Sequence, residues 1–126
     1  MAFKKPHFQP LLQLLKQYQN IEADPSQFLK EKAEMIIDGL IDIMLLLEVP
    51  DIIAAGVKDC PVWRFEFIKK DMEILKSGAK TYLTDHIVFQ RFRLDCEDAH
   101  EYFEILDRHW FDSDVIKQAN GVYNRS

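Results

Sequence analysis

Apolar side chains recur along this chain mostly at helical spacing. The longest such run lies between Asp24 and Pro50. There Leu29, Ala33, Ile36, Leu40, Ile43 and Leu47 step by 4, 3, 4, 3 and 4, the seam of a bundle or coiled-coil helix. A second row, Ile37, Ile41, Met44 and Leu45, widens the apolar stripe to over half the circumference, which asks for cover on more than one side. Asp24 stands where it can cap the free amides of a first turn, and Pro25 where a missing N–H costs nothing. Pro50 disfavours helical geometry at Val49. The pattern predicts a helix over 25–48 that is central to a bundle or lies in a dimer interface.

Shorter elements flank it. Pro10 suits the first turn of a helix over 10–19, with Leu11, Leu15 and Tyr18 on one face, Leu12 and Leu14 beside it, and a stop near Asn20. Residues 50–60 read as a connection holding one helical turn. Over 61–77 two periods compete: Phe65, Ile68, Met72 and Leu75 fit a helix face, whereas Trp63, Phe65 and Phe67 alternate with Arg64 and Glu66 as in a strand. The unbroken continuation to Ser77-Gly78 favours the helix. Residues 80–94 show no clean period, and helix is chosen there only because both flanks are helical. Asp95 or its neighbour is expected to start a new amphipathic helix, with Ala99, Tyr102, Phe103, Leu106 and Trp110 in one stripe. Ser113 is placed to cap a last short helix ending at Asn120-Gly121. Residues 1–9 read as a mobile arm and 122–126 as a mobile tail.

These elements predict a single all-α domain over 1–126, a bundle of four to six helices. The alternative is an α+β fold with a small sheet from 62–68 and 80–93. At 126 residues the chain buries roughly two-thirds of its unfolded surface, so it needs no disulfide or metal to fold.

Charge alters the picture by its distribution. Sixteen basic against 21 acidic side chains give a net charge of −5, which disfavours a general affinity for nucleic acid. Residues 11–60 carry four basic and nine acidic groups, residues 64–93 seven and four, and residues 94–114 one and eight. A basic third between acidic neighbours is expected to pair with them inside the fold or oligomer. Glu31, Glu34, Asp38 and Asp42 form one acidic row on the polar side of the long helix. Like charges at these spacings repel, so the row invites a basic counterpart: Lys69, Lys70 or Lys76 internally, or a partner's surface. No run approaches the roughly 20 apolar residues of a membrane span. The N-terminal residues lack the apolar stretch of a signal peptide, so the expected compartment is the cytoplasm, with Cys60 and Cys96 reduced.

Candidate chemistry is sparse. Glu97 and His100 have the Glu-x-x-His spacing of di-iron bundles, but the pair occurs once, where such a site needs two. With Glu101 and Glu104 these residues lie opposite the apolar stripe, where water competes for a metal. They make a metal-dependent enzyme or sensor the second function hypothesis. Arg91 and Arg93 around Phe92 give the third, a weak nucleic-acid-binding module. Cys96, near the expected helix start, is the one plausible reactive thiol, and Asp95, Glu97 and Asp98 oppose its ionisation. No nucleophile elbow or phosphate loop is present, and no cofactor is implied. Phe3, Phe8, Trp63 and Phe111 lack amphipathic cover and would suit an interface. The first hypothesis is therefore a non-catalytic interaction or regulatory protein with a protein partner. It is expected to be a homodimer through Ile37, Ile41, Met44 and Leu45.

Overall fold

The computed structural model describes residues 4–20, 33–47, 49, 51–78 and 85–119. Among these the chain is all-α, with no strand: α1 (Gln9–Gln19), α2 (Ala33–Leu46), α3 (Asp51–Ala55), α4 (Val62–Gly78), α5 (Asp85–His109), a 3-10 turn (Trp110–Asp112) and α6 (Asp114–Ala119). The sheet alternative fails because 62–68 opens α4 and 85–93 opens α5. Residues 80–84, the tail and the Asp24-Pro25 start lie outside the described residues.

The expected centre was the long helix at 25–48. Residues 25–32 of it lie outside the described residues; among those described, α5 packs against α1 and α4, and α4 in turn packs against α2 and α3. No glycine or proline stands between Gly78 and Gly121, so nothing breaks the chain before Asp95. The stripe of Ala99, Tyr102, Phe103, Leu106 and Trp110 continues backwards through Cys96 and Phe92, all buried. Asp95 is thus not a helix cap. It is a buried mid-helix residue.

Aromatic packing joins α5 to its neighbours. Phe65 of α4 stacks on Tyr102 with ring centroids 4.4 Å apart and meets the Phe103 ring edge-on at 5.3 Å. Tyr18 of α1 meets Phe92 edge-on at 5.9 Å. Offset and edge contacts of this kind add to plain area burial. Phe8 was expected in a free arm. It is buried, 6.0 Å from the Phe103 ring and 6.3 Å from Trp110. Lys5 pairs with Asp107 at 3.1 Å, so the segment before α1 is tied down at two points.

In α2 the buried stripe is Ile37, Leu40, Ile41 and Met44, with Ile36, Ile43 and Leu47 packed at its edges. A helix apolar over half its circumference offers two possible seams, and the fold buries one centred on the second row. At the far end, Ser113 has the backbone role expected of a cap, its carbonyl accepting from the Lys117 N–H at 2.9 Å. Its hydroxyl does something else: it donates to the Ile53 carbonyl at 3.1 Å and ties α6 to α3. Gly56 faces that junction, where an added Cβ would stand 2.9 Å from Ser113 Oγ.

Candidate interaction surface

Helix α4 carries two faces of large side chains. Phe65, Ile68, Met72 and Leu75 form the inner one and are buried. At 100° per residue, Trp63, Phe67, Lys70 and Ile74 fall within roughly 60° of arc on the opposite side. Trp63 is 74 % exposed, Phe67 61 % and Ile74 57 %. The other large exposed apolar residues described are Met35, Leu45 and Leu46 on α2, Ile52 on α3, Leu94 on α5 and Phe111 in the 3-10 turn; those on α2 spread over roughly 100° of arc, and scattered apolar residues are normal on a protein surface. Three on one ridge of one helix are not scattered. The competition between strand and helix periods over 61–77 came from this ridge, since Trp63 and Phe67 flank Phe65 at two-residue spacing but point the other way.

The ridge has a charged border. Glu66 and Glu73 flank it and Lys70 stands within it, all three exposed, and Glu66 accepts from Lys69 at 3.0 Å. Arg64 lies 5.6 Å from the Trp63 ring and also reaches Glu101 at 3.2 Å and Asp98 at 3.8 Å. The guanidinium thus touches both the indole and the acidic face of α5, and the indole stays mostly open to solvent.

The residues expected to form an interface divide differently. Ile37, Ile41 and Met44 are buried within this chain, and Leu45 is exposed. Self-association through that row therefore loses three of its four contacts to the protein's own core. Of the uncovered aromatics, Trp63 and Phe111 are exposed, Phe8 is core, and Phe3 lies outside the described residues. Phe111 sits 5.9 Å from the Lys5 ammonium.

The acidic row finds the internal counterpart the sequence allowed. Asp38 pairs with Lys76 at 2.7 Å, whereas Lys69 turns to Glu66 on its own helix and packs 4.8 Å from the Phe65 ring. Asp42 is exposed, and Glu31 and the side chain of Glu34 lie outside what is described.

The metal candidates are drawn to cations. Glu101 bonds Arg64, Glu104 bonds Arg108 at 3.0 Å, His100 stands 3.7 Å from Glu104, and Glu97 is exposed. Among the described residues no group of three His, Cys, Asp or Glu side chains could hold a metal ion. The nucleic-acid candidates are engaged as well. Arg91 pairs with the buried carboxylate of Asp71, and Arg93 donates to the Gln19 carbonyl at 3.1 Å.

Cys96 is not at a helix start. It is buried in mid-α5, where burial first and the Asp95 charge second push its thiol pKa up, so it is the reverse of an activated nucleophile. Burial also lifts Cys60, to about 11. Asp95 itself is pushed up to about 7 by burial, with Arg91 opposing and Asp98 adding to the shift. Its Oδ2 and the Trp110 Nε1 are buried without a hydrogen-bond partner among the described residues.

No family model matches the chain, and neither a curated protein nor a solved structure matches it. What the surface can do must be read from its own chemistry. The ridge can bury aromatic and aliphatic area against another helix, and its border can pair charges in either sense. Sequence reasoning missed Phe67 and Ile74 as surface residues. The signal was present in the 4-3-4 spacing of Trp63, Phe67, Lys70 and Ile74, which interleaves with the core face.

Proposed function

We propose that this is a non-catalytic protein-interaction or regulatory protein that acts through a helical surface, the outer ridge of α4. The observation that carries this reading is the alignment of Trp63, Phe67 and Ile74 on one exposed face. Aromatic residues of this kind supply interface anchors, and placing them in water brings a monomer no benefit. The engagement of Arg91, Glu101 and Glu104 within the fold supports the same reading, because side chains that chemistry would need free are already paired. Both cysteines are free thiols, as suits the reducing cytoplasm, and no described helix is long and apolar enough to cross a membrane.

The test is co-purification from the source cell with the wild-type protein, with Phe67→Glu and with Glu97→Ala as the surface control. A partner retained by wild type and Glu97→Ala but lost with Phe67→Glu supports the reading. Identical partners for all three would refute it.

A further inference from the structure

We propose that the ridge on α4 is covered by the same ridge of a second copy, the two helices running antiparallel. This rests on reading the protein as an interaction module and names the occupant of its surface. The spacing of Trp63, Phe67, Lys70 and Ile74 is 4, 3 and 4, and it reads the same from either end. When a helix meets its own antiparallel copy about a two-fold axis, a palindromic seam pairs with itself at every position. Trp63 then stands opposite the second copy's Ile74, and Phe67 opposite the second copy's Lys70.

Charge favours this arrangement over the parallel one. In the antiparallel register each Lys70 ammonium meets the face of a Phe67 ring, a cation–π pair. It also lies one residue's rise, about 1.5 Å along the axis, from the level of the exposed Glu66 on the other chain. A parallel pairing would set Lys70 against Lys70 at the centre of the seam. Lys70, which has no ion-pair partner among the described residues, is therefore accounted for by the second copy, which supplies both a ring and a carboxylate for it.

The area sets the strength. Three large side chains and the stems of Lys70 and Glu66 fall short of the roughly 800 Å² per partner of a standard stable interface. The dimer is accordingly a weak one, with micromolar rather than nanomolar dissociation, and its population follows concentration.

Sedimentation velocity on the full chain, from about 5 to about 300 µM, reads this directly. The sedimenting species is expected to pass from one chain of 14.9 kDa to two across that range. Phe67→Glu should stay monomeric throughout with an unchanged helical circular dichroism spectrum. Lys70→Glu should weaken the dimer about tenfold, and adding Glu66→Lys to it should restore association, because the charges across the seam are exchanged. A single-chain mass at the top concentration overturns the inference, as does a dimer indifferent to both Phe67→Glu and Lys70→Glu. If the wild type is monomeric while Phe67→Glu still loses a cellular partner, only the second copy falls. If it is monomeric and Phe67→Glu keeps every partner, the reading of the ridge as an interaction surface falls with it.

Discussion

Asp95 shows how one residue can sit at odds with the core around it. Its carboxyl occupies a position that the α5 stripe assigns to an apolar side chain, and one oxygen has no partner among the described residues. Burial raises its pKa to about 7 from an ordinary 3.8. The folded state therefore holds a proton on this group that the unfolded state releases, and the group's cost grows as pH rises from about 4 to about 7. Below that window the carboxyl is neutral in both states, and above it the cost is constant. Asp95→Asn is expected to flatten this part of the stability profile and to raise stability at pH 8 by about 1–2 kcal/mol, with little change at pH 4. Urea denaturation at the two pH values checks it. A variant that loses stability at pH 8 would mean that the charged carboxylate contributes favourably.

At the scale of elements, the junction of α3 and α6 rests on three small groups: Gly56, the Ser113 hydroxyl and the Ile53 carbonyl. Ser113→Ala removes a buried hydrogen bond, while the Ile53 carbonyl keeps the Gly56 N–H as a donor at 3.1 Å, so the loss is about 1 kcal/mol. Gly56→Ala drives a methyl to 2.9 Å from Ser113 Oγ, so it should break the same bond by displacement. The two losses are coupled. In the Ser113→Ala background, Gly56→Ala should cost about 1 kcal/mol less than alone, measured by a double-mutant cycle of thermal or denaturant unfolding. Additive losses would mean that the methyl clashes elsewhere.

Elements were legible wherever one period stood alone. The faces of α1 and the second half of α5 follow directly from apolar spacing, and Gly78 marks the end of α4. The first half of α5 was obscured because Asp95 resembles a cap and because Ile87 and Val88 are β-branched. Only the absence of glycine and proline told against a break there. The seam of α2 could not be chosen from sequence, since a stripe over half the helix fits two registers and tertiary packing selects between them. For the surface, Trp63 stood out as uncovered, but Phe67 was absorbed into a strand-like alternation. Phe8 was hidden for a different reason: a single aromatic before a helix carries no period, and its burial depends on Phe103 and Trp110, some 95 residues or more away.

At the scale of the molecule, the basic stretch pairs with acidic side chains of its neighbours among the described residues. The basic stretch supplies Lys76 to Asp38 and Arg64 to the acidic face of α5. These pairs are partly exposed, and each adds under about 1 kcal/mol. Arg91 differs, because its partner Asp71 is buried. Arg91→Ala should strand that carboxylate and cost about 2 kcal/mol, whereas Lys76→Ala should cost no more than about 0.5 kcal/mol. Equal, small losses in denaturant melts would show that Asp71 finds another partner or water.

Beside these pairs stands the exposed apolar ridge of Trp63, Phe67 and Ile74 on one face of α4. The central claim is that this ridge is surplus to the fold and reserved for another molecule. Denaturant unfolding of Phe67→Glu at about 2 µM, too dilute for weak self-association, tests it most directly. The stability is expected to stay within about 0.5 kcal/mol of wild type, the range of an ordinary surface substitution. A loss of about 2 kcal/mol or more would place Phe67 in the core and contradict the account.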